Sequence, residues 1–406
     1  MSWEHYKLND ICISISDGDH QPPPKADKGI PFVTIANITK TNKFDFTDTM
    51  YVPREYYDAL DSKRRPSCGD VLYSVVGSFG IPVFITDDKE FVFQRHIAIL
   101  RPDKEKVVPE FLYYTMLSRD FYMKADAVAL GAAQRTVSLT SLRAMEIDLP
   151  TIDVQEKIVS ILRPYDNLIE FNQKQIKLLE EAAQRLYKEW FVDLRFPGYE
   201  DVKIVDGVPE GWKRTTIGEF LGVRSGYAFK SGWWQDSGYP VVKIKDINNN
   251  TVDISSLDHV APEHTSKIPE FKLDKGDIVI AMTGATIGKI GLVPEVDNLY
   301  TNQRVGKVFP NAELLIPTPF VFCFYGQKSI LEQIIALSSS SSAQPNISGG
   351  QLESFEVIAN IDIINKFGKN MQPHFDKIND LYKQNRLLTQ ARDRLLPKLI
   401  NGEIEV

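Results

Sequence analysis

Asp70, Asp87 and Lys89 have the side chains of a nuclease metal site, since Mg²⁺ favours carboxylate oxygens. An equivalent stretch later in the chain has no such lysine, so the three read as a solvated Asp-Asp-Lys turn. Gly284 to Lys289 ends in the Gly-Lys pair of a phosphate-binding loop, but Ile290 stands where that loop needs Ser or Thr. Gln21-Pro22-Pro23-Pro24 touches the pattern of an amino-methyltransferase loop, yet it lacks the flanking acid-amide and aromatic residues and reads as a polyproline loop. His5, His20, His96, His259, His264 and His374 show no metal-ligand spacing. Cys12, Cys68 and Cys323 are few, odd in number and far apart, which suggests neither disulfides nor zinc. No catalytic, cofactor or metal site is therefore expected in this chain.

The elements that position the side chains come from 406 residues, 43% hydrophobic and 25% charged, a balance that suits a soluble protein of two to four domains. No apolar run approaches the length of a membrane span, and Met1-Ser2-Trp3-Glu4-His5 lacks the features of a signal peptide. With the unpaired cysteines, this points to the cytoplasm and to no membrane partner. The net charge of −7 argues against nucleic-acid binding by the chain alone, because phosphate neutralisation needs Lys and Arg. It leaves room for partners that supply positive surface.

An internal repeat organises the chain. Trp3 precedes Trp212 by 209 residues, and Gly29-Ile30-Pro31-Phe32-Val33 matches Gly238-Tyr239-Pro240-Val241-Val242 at the same offset. Gly69-Asp70-Val71 answers Gly276-Asp277-Ile278, Gln94-Arg95 answers Gln303-Arg304, and Ala133-Gln134 answers Ala343-Gln344. Glu146-Ile147 answers Glu356-Val357. Side chains between these anchors differ, so two domains share a scaffold but not a surface. Val71 to Val76, Phe91 to Leu100 and Asp277 to Met282 are apolar, β-branched and bounded by turn residues, which predicts strands. The run Ser338 to Ser342 suggests a loop.

Each half ends in a helix. Ile158, Leu162, Tyr165, Ile169, Asn172, Ile176, Leu179, Ala183, Leu186 and Trp190 alternate spacings of four and three, as a coiled-coil seam does. Phe367, Met371, His374, Ile378, Leu381, Asn385, Leu388, Arg392, Leu395 and Leu399 repeat it at an offset of 209. Parallel pairing would bury Asn172 against Leu381 and Asn385 against Ile176, at about 1–3 kcal/mol for each unpaired amide. Antiparallel pairing sets Asn172 against Asn385, Ile176 against Leu381, Ala183 against His374, and Tyr165 against Arg392 in a cation–π contact. Leu179 and Leu388 lie in the same seam, which would be about 50 Å long at about 1.5 Å per residue. Pro164 and Pro373 are each expected to kink their helix or to start a fresh one.

Leu186-Tyr187-Lys188-Glu189-Trp190-Phe191-Val192-Asp193 resembles the end of the central conserved region of Type I restriction-modification specificity subunits, and Leu395 to Ile404 resembles their C-terminal region. Pro209-Glu210-Gly211-Trp212 resembles the opening of a second target recognition domain, and Ala343-Gln344-Pro345-Asn346-Ile347-Ser348 the close of one. The first closing motif departs from the pattern as Gln134-Arg135-Thr136-Val137. The resemblance implies an α+β fold. Two repeated mixed α/β target recognition domains, 1–150 and 196–360, would be separated by helical regions 151–195 and 361–406. These would form an antiparallel coiled coil, with pseudo-two-fold symmetry overall. It also implies a non-catalytic subunit whose two domains each read half of a bipartite, asymmetric site in double-stranded DNA while the helices set the spacer. Two modification (methyltransferase) subunits using S-adenosylmethionine, and restriction (translocase and nuclease) subunits using ATP and Mg²⁺, would supply the chemistry.

Candidate DNA contacts follow from side-chain chemistry. Lys63, Arg64 and Arg65 form the densest basic cluster, suited to phosphates. Gln94, Arg95, Gln134, Arg135, Gln303 and Arg304 can address adenine and guanine edges. Gln94-Arg95 and Gln303-Arg304 fall at one position of the repeat, which favours support of the fold or phosphate contact over base reading. Tyr227, Lys230, Trp233 and Trp234 occur in one half only, as reading residues should, although buried aromatic clusters are commoner. Two alternatives stand beside the resemblance: the recognition subunit of a smaller restriction-methylation assembly, and a DNA-free coiled-coil adaptor.

Overall fold

The computed structural model describes residues 3–39, 41–131, 135–311, 313–338 and 345–406. Ala133, Gln134, Ala343, Gln344 and Ser339 to Ser342 lie outside the described residues, while Ser338, expected in a loop, ends the helix Lys328–Ser338. Contacts divide the chain into two units, Met1–Leu168 with Leu388–Val406, and Ile169–Leu387.

In the first unit, strand Glu4–Lys7 pairs antiparallel with Glu146–Leu149, so the end of the domain returns to its start. Between them, one antiparallel sheet has the order Cys12–Asp17, Ile97–Pro102, Val71–Ser74, Pro82–Phe84. A second sheet has the order Met50–Val52, Ile30–Val33, Val92–Phe93, the last two strands parallel. Alternation along the strands divides the core. Val71, Tyr73, Ala98 and Leu100 join Phe111, Leu112 and Phe121 of the helices Pro109–Leu117 and Arg119–Val128. Leu72, Ile97 and Ile99 face the opposite way, with Val33, Phe91 and Phe93. Both faces of Val71–Ser74 are therefore buried, which explains its unbroken apolar sequence.

The second unit repeats this plan. Lys213–Thr216 pairs with Glu356–Ala359, and the order Leu221–Ser225, Val305–Pro310, Ile278–Ala281, Ile290–Leu292 reproduces the first sheet before continuing to Thr251–Val252 and Ile247–Asn248. In its other sheet, Asp258–Val260, Tyr239–Val242 and Leu299–Thr301 stand in the same order as the three strands of the first unit, again with one parallel pair. Ile278, Ile280 and Met282 face one core, Val279 and Ala281 another. The predicted strands from Val71 and Asp277 are present in shortened form. The run Phe91 to Leu100 is two strands, because the chain turns at Gln94 to His96, where Ile97 N donates to Gln94 O at 3.0 Å.

The long helices Ile152–Tyr187 and Ile361–Ile400 run antiparallel within both units. In the second unit Asn172 Nδ2 donates to Asn385 Oδ1 at 2.9 Å, while Ile176 and Leu381 share the core. Leu179 packs against that core from the side, and Leu388 is half-buried. Ala183 is buried, but His374 is not. Phe375 enters the core beside it, with its ring 5.0 Å from Phe322. In the first unit Arg392 contacts Asp166 at 2.5 Å instead of the Tyr165 ring, and Asp166 also accepts from Tyr114 at 2.8 Å. A carboxylate offers the guanidinium a stronger partner than a ring face. Neither proline starts a new helix. Pro164 and Pro373 are exposed, so water can satisfy the carbonyl that each leaves without a donor. Asn360 Oδ1 accepts from Asp362 N and Ile363 N to cap the second helix, and Gly402, at φ 69°, ends it.

Asn172 is only 5% exposed, so its amide depends on partners within the seam. Replacing Asn385 with Leu is expected to cost about 1–3 kcal/mol. Combining Asn172→Leu with Asn385→Leu should recover most of that loss. Urea denaturation of the single and double variants beside the parent measures both steps.

Candidate nucleic-acid interface

In each unit a glycine lets one strand cross the turn between two others. Gly18 follows Cys12–Asp17, and its N donates to Ile97 O at 3.3 Å. Gly226 follows strand Leu221–Ser225, and its N donates to Val305 O at 2.9 Å. A Cβ on Gly18 would lie 2.2 Å from Phe93 O, and one on Gly226 would lie 2.4 Å from Asn302 O. Only a residue without a side chain fits this approach of two backbones. The next residues form parallel bridges, Asp19 with Gln94 and Tyr227 with Asn302. Gln94 N donates to Val33 O and Asn302 N to Val242 O, both at 3.0 Å. Val75 N donates to His96 O at 2.9 Å, and Met282 N to Arg304 O at 3.0 Å.

These bonds correct the alignment of the two halves by one residue. Gln94 corresponds to Asn302, Arg95 to Gln303, and His96 to Arg304. The shared Gln-Arg dipeptide is thus not one position used twice, and the argument that it supports the fold in both halves falls. Arg95, Gln303 and Arg304 are exposed, Gln94 half-buried. Among the described residues no hydrogen bond or ion pair holds the side chains of Arg95, Gln303 or Arg304. Burial first, and Arg95 second, hold the His96 imidazole below its usual pKa, which favours its neutral form.

The other candidates are more committed. Arg65 donates to Leu60 O at 3.0 Å and Asp58 O at 2.6 Å, and covers the Tyr57 ring. Arg64 lies 3.6 Å from Asp19 and 3.9 Å from Asp17. Lys63 is exposed. Arg135 pairs with Asp126 and lies over the Phe79 ring, while its carbonyl accepts from Gly77 N at 2.9 Å. In the second unit Tyr227, Trp233 and His264 stack. Trp233 lies 6.3 Å from the Tyr227 ring and 4.2 Å from that of His264, nearly parallel to both. Lys230 Nζ is 5.3 Å from the Trp233 ring, and Lys243 Nζ is 3.5 Å from that of Trp234. This cluster is partly core and partly surface. The expected solvated Asp-Asp-Lys turn holds only for Asp87 and Lys89, where Lys89 N donates to Asp87 Oδ1 at 3.0 Å, while Asp70 is buried. Asp70 pairs with Arg101 at 2.8 Å, and Lys89 sits over the Phe46 ring.

One electrostatic feature had no signal in sequence. The tip of the hairpin Ile247–Asn248 and Thr251–Val252 docks on the helix pair of its own unit. Asn250 Nδ2 donates to Glu180 Oε2 at 2.9 Å, and Tyr382 OH donates to Asn249 O at 2.9 Å. Asn249 and Asn250 both have positive φ, as a two-residue hairpin turn requires. Burial raises the Glu180 pKa to about 6, outweighing the hydrogen bonds from Asn250 and Tyr382.

The geometry defines the class as a two-domain protein in which one backbone plan occurs twice with its exposed turn changed. The model of the Type I restriction modification DNA specificity domain matches residues 1–181 and 209–367. The chain belongs to that specificity-subunit family and carries its domain twice. It is 23% identical over 475 residues to the Type I restriction enzyme HindI specificity subunit of Haemophilus influenzae, with 99% of each chain covered. It is 28% identical over 313 residues to the MjaIX specificity subunit of Methanocaldococcus jannaschii, over 75% of this chain and 71% of that one. The crystal structure of a Type I restriction-modification S subunit from M. genitalium shares the fold, with a TM-score of 0.56 at 18% identity over 98% of this chain and 96% of the other. Among the described residues no helix is long and apolar enough to cross a membrane.

Two outcomes follow from this geometry. Gly18→Ala and Gly226→Ala each force backbones apart and are expected to destabilise their own unit by about 1–3 kcal/mol. Hydrogen exchange should show lost protection confined to the strands around the substituted glycine. Glu180 contributes stability that is complete below its ordinary pKa of 4.5 and is lost as pH rises through about 6. The difference amounts to about 2 kcal/mol. Glu180→Gln keeps an acceptor for Asn250 without the charge, so thermal melts from pH 4 to 8 should show the variant gaining on the parent as pH rises.

Proposed function

We propose that this chain is the non-catalytic, sequence-reading subunit of a cytoplasmic Type I restriction-modification complex. Residues 1–150 and 196–360 act as target recognition domains, and 151–195 with 361–406 as the helical regions that set the spacer between half-sites. The observation that carries this reading is the junction at Gly18 and Gly226. One backbone arrangement presents Arg95 and His96 in the first domain, and Gln303 and Arg304 in the second. Two like scaffolds with unlike surfaces suit two unlike DNA half-sites.

The net charge of −7 is low for a protein that grips DNA alone, which favours work within a complex. Phe171 and Leu178, 57% and 65% exposed, lie seven residues apart on one helix face and offer apolar surface to a partner subunit. Two modification subunits would bind there and methylate adenine with S-adenosylmethionine. Restriction subunits would add ATP- and Mg²⁺-dependent translocation and cleavage.

Methylated adenines mapped in a host carrying the modification gene, with and without this gene, test the reading. The expected map has one bipartite, non-palindromic motif that disappears with this gene. A continuous or perfectly palindromic motif would count against it.

A further inference from the structure

The turns beside the crossing glycines are held by main-chain bonds in the same pattern in both units. Their backbone groups are used within the fold. In the first unit the bonds run from Gly18 N to Ile97 O, Gln94 N to Val33 O, Ile97 N to Gln94 O and Val75 N to His96 O. The second unit repeats all four, from Gly226 N to Val305 O, Asn302 N to Val242 O, Val305 N to Asn302 O and Met282 N to Arg304 O. The turn is rigid without help from its side chains. Arg95, Gln303 and Arg304 project from it with their hydrogen-bonding ends unused among the described residues.

Those ends have specific chemistry. A guanidinium can donate two hydrogen bonds to O6 and N7 of guanine, and a glutamine amide can pair with N6 and N7 of adenine. Arg64, Arg65 and Arg135 instead spend their donors or charge on Asp17, Asp19, backbone carbonyls and Asp126. A preset turn carrying free bidentate donors loses little side-chain order on binding compared with a flexible loop. The flanks differ as well. Asp19 stands beside Gln94 in the first unit, and Tyr227, backed by Trp233, stands beside Asn302 in the second.

We infer that the turns Gln94–Ile97 and Asn302–Val305 are the base-reading elements of the two domains, with Arg95 reading one half-site and Gln303 and Arg304 reading the other. The inference rests on the DNA-recognition reading above and assigns it to named side chains. Arg95 and Arg304 each address a G·C pair, in different half-sites, and Gln303 an A·T pair next to that of Arg304.

The test uses the full chain assembled with its modification subunits. Methylation motifs are mapped for the parent and for Arg95→Ala, Gln303→Ala and Arg304→Ala. The parent motif decides the DNA-recognition reading by itself: if it is not bipartite, that reading fails whatever the variants do. With a bipartite parent motif, Arg95→Ala should relax one G·C position in one half, by roughly 5- to 150-fold in preference. Arg304→Ala should relax one G·C position in the other half, and Gln303→Ala the adjacent A·T position. The spacer length should not change. Unchanged motifs, or relaxation of the same half by Arg95→Ala and Arg304→Ala, overturn the inference. If a variant no longer methylates, competition binding with cognate and unrelated duplexes decides. A loss confined to the cognate duplex supports base reading. An equal loss for both, with a shallower salt dependence, assigns the residue to phosphate and overturns it.

Discussion

In each unit the core on the helix-facing side is completed by a helix from the other half of the sequence. Leu396, Leu399 and Ile400, near the end of the chain, lie in the core of the first unit with Leu8, Phe111 and Leu162. Ile176, Ala183 and Tyr187, from the helix that follows the first domain, lie in the core of the second unit with Phe320 and Phe367. This reciprocity requires antiparallel helices, and it requires one register. A shift by a single residue would turn the apolar stripe away from both cores. The amide pair Asn172–Asn385 guards that register, because a buried amide tolerates few partners. Apolar burial supplies the stabilisation, and the polar pair selects among alignments that burial alone would accept.

Above the helices, the domains show how a sheet buried on both faces reaches the surface. The strands Val71–Ser74 and Ile278–Ala281 have no exposed residue and offer nothing to a ligand. Contact with other molecules falls to turns at the strand ends, and a turn holds position only if its backbone bonds are satisfied. The crossing glycines meet that condition by bringing a third strand close enough to bond. The cores therefore position the interface through main-chain contacts alone.

Much of this was legible in the residues. The repeat appeared because anchors such as Trp3 and Trp212, or Gly69-Asp70 and Gly276-Asp277, fill structural roles with few substitutes. Trp212 packs in the core, and Asp70 and Asp277 each pair with a basic residue of a neighbouring strand. The seam appeared because its period is regular. What failed was local. The Gln-Arg dipeptides matched by identity while the hydrogen bonds matched one residue earlier, since an exposed turn leaves its side chains free to vary. The turn inside Phe91 to Leu100 lacks Gly and Pro, so no sequence signal marked it. Of the two outcomes expected at Pro164 and Pro373, a fresh helix start does not occur, because exposure of their helix face is not visible from the proline itself. The Glu180 contact joins residues 70 apart, which periodicity does not address.

The main-chain bonding of the reading turns also bears on how such a protein changes over generations. Exposed substitutions away from specific contacts usually alter stability by less than about 0.5 kcal/mol. At Arg95, Gln303 and Arg304, natural selection for folding consequently has little to act on. Mutations can accumulate there as neutral drift with respect to the fold, and each domain can drift separately. A lineage can pass from one surface to another by single steps, every intermediate still folded.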